Sequence, residues 1–268
     1  MGGTFFDDQN GDLTRLTMLV PNEILSVWEK FNTFPMETLT KAWFYRKTDG
    51  KKQRDVSLMK EHHERYGITG NCFDLAIWLL HEFEKEGIEA YPIGHDLGTT
   101  EAHVAVIAKN EDGRRYLCDL GDQWLIPVLV DADHPSFTSE RLTGFFPAAE
   151  IEVQLHQDTV TILYHRPNGR MSSQKFDLVP LELSSFWKAA EISQNTIKKS
   201  PLLECRISYL SEIAHWEFYN WSSFLSTTAG MINEPEIKDI KAWCDRLHQK
   251  TGYDKDFLLE VLQIYKDM

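Results

Sequence analysis

Apolar residues recur at helical spacing through the first third of the chain, then alternate with polar ones through the middle. In the stretch that opens Pro21-Asn-Glu-Ile, the residues Ile24, Val27, Trp28 and Phe31 form a core-facing stripe and predict a helix. Further helices are expected over about 36–46 and 56–65. The most informative stripe is Phe73, Ala76, Ile77, Leu80 and Phe83. Thr69, Gly70 and Asn71 precede it as turn and cap residues, Asp74 stands in a box-like relation to Asn71, and Gly87 offers a stop. The helix therefore begins at Cys72.

After Gly87 the period shortens to two. Strand-like runs are expected over 88–93, 102–108, 114–120, 125–130, 151–155, 160–165 and 170–176, divided by Gly, Asp and Asn clusters. Asn110-Glu-Asp-Gly113 and Pro167-Asn-Gly169 read as hairpin loops. Short strands at this spacing predict a small antiparallel barrel or sandwich. From about Leu181 the pattern is mixed. A helix is expected over 183–196, strands over 202–209 and 215–225, a helix from Asn233-Glu-Pro-Glu to about Thr251, and a last one over 256–266. Ile237, Ile240, Trp243 and Leu247 would be the apolar face of the penultimate helix. The fold class is therefore α+β, with a helical segment 1–87, a β-barrel segment 88–180 and an α/β segment 181–268.

Composition narrows the function. A chain of 268 residues that is 42% hydrophobic has room for a proper core. Its formal charge of −13 argues against nucleic acid as a partner, since phosphate binding needs a basic face. No run of about 18 apolar residues is present, so no membrane span is expected. The acidic start lacks the features of a signal peptide, and the sixth residue is not the Ser or Thr of a myristoylation site, which points to the cytoplasm. Cys72, Cys118, Cys205 and Cys244 show no metal spacing, so four free thiols and no metal are expected. His62 and His63 are adjacent on one helix, so they point to different faces and read as a solvated surface pair.

Three residues carry candidate chemistry. The helix start puts the Cys72 sulfur beside unpaired backbone N–H groups and the positive end of the helix dipole, which stabilise negative charge. His103 leads an otherwise apolar strand and needs a polar partner if buried. Asp119, in the next strand, is similarly placed. A hairpin turn centred on residue 111 would set 103 opposite 119, and one centred on 112 would make them diagonal neighbours on one face. A regular four-residue loop 110–113 would put them on opposite faces, so a His–Asp pair predicts a bulge or an odd loop. His103 could then take a proton from Cys72, with Asp119 orienting the ring and helix-start N–H groups stabilising an oxyanion. The bland alternatives are an inert buried Cys72, a satisfied core His103, and Asp119 paired with Arg114 or Arg115. His95 and Asp96, in a Gly-rich loop, could rim the same site, while Cys118 alternates away from Asp119 into the core.

The order Cys, His, Asp on helix, strand and strand resembles the arylamine N-acetyltransferase family. The resemblance is carried by Gly70-Asn-Cys72-Phe73, by His103-Val-Ala-Val, and by Gly113-Arg-Arg-Tyr-Leu-Cys-Asp119-Leu-Gly121. Weaker matches are Phe34-Pro-Met-Glu-Thr-Leu-Thr-Lys and Phe176-Asp-Leu-Val-Pro-Leu-Glu-Leu-Ser-Ser-Phe. The resemblance implies a helical domain carrying the cysteine, a barrel carrying His and Asp, and an α/β lid, around a core like that of cysteine proteases and transglutaminases. It also implies ping-pong transfer of an acetyl group from acetyl-CoA through a Cys72 thioester to an arylamine or hydrazine. Asn71, Phe73, Asp122 and Trp124 would then rim the substrate pocket, and Lys198, Lys199, Arg166 and Arg170 are candidates for the CoA phosphates. Two segments depart from the family. Gly67-Ile-Thr-Gly70-Asn71 replaces its Arg-Gly-Gly-x before the cysteine, and Asp122-Gln123-Trp124 follows Gly121 where the family continues Phe-Gly. A divergent member is expected, with an amide synthase, a transglutaminase-like hydrolase or an idle scaffold as alternatives. Oligomeric state is not legible.

Overall fold

A computed structural model describes residues 20–268. The N-terminal stretch read above for targeting signals lies outside the described residues. Helix α1 (Asn22–Trp28) continues into a short 3-10 turn and buries Ile24, Val27 and Trp28. After it come strand β1 (Met36–Glu37) and helices α2 (Leu39–Tyr45), α3 (Val56–Tyr66) and α4 (Cys72–Lys85). The expected helix 36–46 thus starts late, because Met36 and Glu37 pair as a strand with Glu204 and Leu203 far along the chain. No described helix is long and apolar enough to cross a membrane.

The middle of the chain forms two four-stranded antiparallel sheets. One contains β2 (Ala90–His95), β3 (His103–Lys109), β4 (Arg115–Cys118) and β5 (Val128–Leu129) in chain order. The other contains β6 (Leu142–Phe146), β7 (Ala149–His156), β8 (Thr159–His165) and β9 (Met171–Asp177). Strand β6 has no counterpart among the expected runs. Alternate residues of both sheets, such as Val104 and Val106, or Val160 and Ile162, meet α4 in one apolar core.

Helix α5 (Leu183–Asn195) leads into a five-stranded sheet of β10 (Leu202–Tyr209), β11 (Glu212–Tyr219), β12 (Ser222–Thr227) and β13 (Gly230–Asn233), with β1 on its outer edge. The expected single strand 215–225 is in fact a hairpin. Asn220 and Trp221 both take positive φ (47° and 63°), the requirement of a tight two-residue turn, without the Asn-Gly signature that announces one. The expected helix at Asn233 begins only at α6 (Ile240–Thr251), capped by Asp239. Glu234 is held back across the sheet, accepting from Trp216 Nε1 at 2.9 Å and Ser223 Oγ at 2.7 Å. Helix α7 (Lys255–Lys266) closes the chain.

The packing does not follow chain order. Leu39, Ala42, Trp43 and Ile68 join the core of the C-terminal sheet, whereas Phe186, Ala189 and Ala190 of α5 belong to the core around α4. Arg206 on β10 latches the parts together by donating to the carbonyls of Trp124 and Phe31, each at 2.6 Å. His62 and His63 do face different ways, but His62 is buried and His63 is only partly exposed. His62 is buried against Trp43, and the His63 ring lies 4.6 Å from Phe34. Tertiary packing covered both rings, which an isolated helix pattern does not reveal.

Burial raises the Glu37 carboxyl from 4.5 to about 7, against the pull of its Thr40 hydrogen bonds. A carboxyl raised in the folded state favours folding while protonated, and that contribution is lost as pH rises from 4.5 through about 7. Glu37→Gln should therefore gain stability relative to the parent as pH rises through that window. Urea denaturation across the window checks this, and a pH-independent difference would refute it.

Candidate active site

Cys72 is placed by the way its helix begins. The Asn71 side chain accepts from the N–H groups of Phe73 (3.0 Å) and Asp74 (3.2 Å), and the Asp74 carboxylate accepts from the Asn71 N–H at 3.1 Å. This reciprocal box leaves the N–H of Cys72 itself as the helix-start donor outside the cap. The wider set of helix-start donors expected for an oxyanion is thus reduced. Asp74 is only 1% exposed, and it collects further partners: Gln53 Nε2 at 2.9 Å, Gln194 Nε2 at 3.0 Å, and Arg54 at 3.4 Å. Arg54 also donates to the Thr69 carbonyl. The family motif's arginine is absent before Cys72, yet a buried guanidinium reaches this loop from elsewhere in the chain.

His103 and Asp119 meet through an odd loop, as a pair on one face requires. Lys109 pairs with Arg115 and Val106 with Cys118, so the hairpin centres on residue 112. A three-residue turn, with Gly113 at φ 76°, makes His103 and Asp119 diagonal neighbours. His103 Nε2 lies 2.8 Å from Asp119 Oδ2, and Asp119 is fully buried. The second Asp119 oxygen accepts the Asp122 N–H at 3.0 Å. Arg114 and Arg115 instead pair with Asp133 and Asp131, each at 2.7 Å, which removes them as partners of Asp119. Burial opposes charge on His103, but the Asp119 carboxylate and the Cys72 sulfur outweigh it and raise the imidazole well above its ordinary value.

Gly121 marks where the three side chains converge. A Cβ at this position would lie 2.6 Å from Cys72 Cβ, 2.9 Å from His103 Cε1 and 3.3 Å from Asp119 Oδ1. Only hydrogen fits there. With Nε2 engaged by Asp119, the other ring nitrogen of His103 is left for the sulfur. Cys72 is half-buried, whereas Cys118 and Cys205 are buried thiols pushed up by burial, Cys205 to about 12. Among the four, only Cys72 combines partial access with a neighbouring base.

The remaining expected site residues fall in different places. His95 sits directly across from His103, with ring centroids 5.7 Å apart, and bonds Asp96 at 2.9 Å. Asn71 is buried as the cap, and Phe73 is fully buried at 5.8 Å from Phe186. Trp124 is also fully buried, its indole N–H donating to Tyr164 and its ring packed on Phe146. Both aromatic side chains therefore lie behind the surface rather than on its edge. Asp122 does line a cavity of about 300 Å³, together with Arg166 and Arg170 from the β8–β9 hairpin. Lys198 pairs with Glu101 at 3.2 Å. Three residues outside the expected site set line the same cavity: Glu204, and His215 and Glu217 from the aromatic-rich stretch 215–221, whose alternation reads as an ordinary half-buried strand but could also line a pocket. One ligating atom from each lies within 4.8 Å of the others. Their alternation along β10 and β11 is a usable signal, but it reads equally as an ordinary solvated face.

No protein-family model and no curated protein matches this chain. Solved structures do match its fold. The arylamine N-acetyltransferase of M. smegmatis is 14% identical and superposes with a TM-score of 0.64 over 89% of this chain and 90% of that one. The Mycobacterium marinum enzyme, in complex with CoA, gives 0.65 at 12% identity over 97% and 99%. A Bacillus cereus arylamine N-acetyltransferase, described as having a Cys-His-Glu catalytic triad, gives 0.60 at 14% identity over 87% and 90%. The chain thus has the arylamine N-acetyltransferase fold: helices first, antiparallel sheets next, and a mixed C-terminal portion.

Two substitutions test the site. Gly121→Ala should slow alkylation of Cys72 by iodoacetamide to the rate of an ordinary thiol while the circular dichroism stays folded; unchanged reactivity would show that the three groups do not meet there. Arg54→Ala removes one partner of a buried charge and should cost about 3 kcal/mol in chemical denaturation. A loss within about 0.5 kcal/mol, the range of ordinary surface changes, would contradict that role.

Proposed function

We propose that the protein is an acyltransferase that carries an acetyl or other short acyl group from acyl-CoA, through a thioester on Cys72, to an amine nitrogen. The observation that carries this reading is the convergence of Cys72, His103 and Asp119 on Gly121. The shared fold with enzymes of that activity, one of them holding CoA, supports it.

In this reading His103 takes the Cys72 proton, and the thiolate attacks the carbonyl carbon of the donor thioester. The donor's carbon–sulfur bond breaks, and His103 returns the proton to the departing CoA thiol. Asp119 holds the ring by accepting from Nε2 and stabilises the imidazolium. The Cys72 N–H faces the developing oxyanion. A free amine then attacks the acyl-enzyme, the new carbon–nitrogen bond forms, and Cys72 leaves as the thiol after His103 has relayed the amine's proton. Arg166 and Arg170, which line the cavity beside Asp122, would meet the CoA phosphates.

Incubation with acetyl-CoA in the absence of acceptor should add a single acetyl mass to the intact protein, with none on Cys72→Ala or His103→Ala. No adduct from any short acyl-CoA on folded protein would overturn the proposal. Discharge to water at the same rate as to every amine tested would reassign the site to a thioester hydrolase.

A further inference from the structure

The C-terminal sheet has two unlike faces. Leu203, Cys205, Trp216 and Phe218 are buried in its core, so their neighbours along the same strands point the other way. That other face carries Glu204 and Glu217, which stand directly opposite each other in the β10–β11 register. Like charges so placed destabilise a sheet unless something positive sits between them. His215, also on this face, has its Nε2 3.7 Å from Glu217 Oε2. Its side chain is 12% exposed, and its Nδ1 is buried with no hydrogen-bond partner. Among the described residues no Lys or Arg pairs with Glu204, Glu217 or Asp122. Burial pushes the Glu204 carboxyl up to about 7 and Asp122 up to about 6. Burial opposes charge on His215, but its bond to Glu217 and the nearby carboxylates raise the imidazole above its ordinary value, so one histidine faces three carboxyl groups and the cluster has more acid than base.

These groups line one cavity of about 300 Å³, room for a small organic molecule rather than a lone ion. Cys72, His103 and Asp119 are not among its lining residues; Asp122 is the link, lining the cavity while its backbone N–H bonds the Asp119 carboxylate. Arg166 and Arg170 stand on a different element, the β8–β9 hairpin, so the lining is divided by charge. Only Phe146 and Phe224 offer it aromatic surface.

We infer that Glu204, Glu217 and His215, with Asp122, form a subsite for the second, cationic group of the acceptor, which makes the acceptor an aliphatic diamine or a similar amine with a remote positive charge. The inference rests on the acyltransferase reading for the reaction, but not for the binding. One end of the diamine is held as ammonium by the carboxylates. The other end, as free amine, attacks the Cys72 thioester carbonyl, the carbon–sulfur bond breaks, and the surplus amine proton passes through His103 to the cysteine sulfur.

Titration calorimetry on the unacylated protein, with α,ω-diamines of about three to five carbons, tests the subsite directly. The best diamine should bind about tenfold tighter than 4-methoxyaniline or the diol of equal length, weaken with added salt, and lose about tenfold on Glu217→Gln or Glu204→Gln. Equal affinity for the diamine and the diol, or full affinity in both folded variants, overturns the inference. Binding of Zn²⁺ to Cys72→Ala through these residues, with no diamine binding, also overturns it in favour of a metal site. The acetylated enzyme should discharge to the diamine about tenfold faster than to n-butylamine. If acetyl-CoA leaves no adduct while the diamine still binds, the acyltransferase reading has failed and the subsite stands. If the adduct forms but discharges equally to both amines, the subsite assignment has failed and the acyltransferase reading stands.

Discussion

The start of helix α4 depends on one buried carboxylate. Asp74 closes the capping box with Asn71, pairs with Arg54, and accepts from Gln53 and Gln194. Those partners come from the loop before α3, from the turn ahead of Cys72 and from α5, so a single charge gathers three separate stretches of chain. A buried carboxylate without such partners would cost several kcal/mol. That penalty is what makes the arrangement specific: the loop 67–71 cannot shift without stranding the charge. Gly70 belongs to the same constraint, because any side chain there would collide with Asp74.

The second half of the site is held by sheet geometry. A three-residue turn sets the hairpin centre on residue 112, which brings His103 and Asp119 to one face. Gly121 then lets the helix start approach that pair to within contact distance. Two local features, a capped helix and a short hairpin, thus become one site only because a side chain is missing where they touch. The lid sheet adds a charged floor to the adjoining cavity while its other face is packed with Trp216 and Phe218. Arg206, drawing on backbone carbonyls of Phe31 and Trp124, keeps that floor in place.

Much of this was legible in the residues. The capping box, the Cys72 helix and the antiparallel middle follow from spacing alone, and the need for an odd 110–113 loop followed from counting residues across a hairpin. Where the reading missed, the cause was long-range. Met36 and Glu37 carry no strand signal of their own and become one through β10. Asn220-Trp221 makes a tight turn with Trp where a glycine would normally follow Asn, held by pairing on both sides. Trp124 looked like a pocket residue next to Asp122, yet Tyr164 and Phe146 enclose it.

Local spacing determined which residues begin helices and which faces of strands turn inward, because the periods 3.6 and 2 are properties of the backbone. It also singled out Cys72, His103 and Asp119. Tertiary structure alone decided that Arg54 supports the cysteine loop, that Gly121 is the point of contact, and that Glu204, His215 and Glu217 share a cavity with Asp122. Each of these joins residues tens to more than eighty positions apart, and no local pattern encodes which distant partner will satisfy a buried charge.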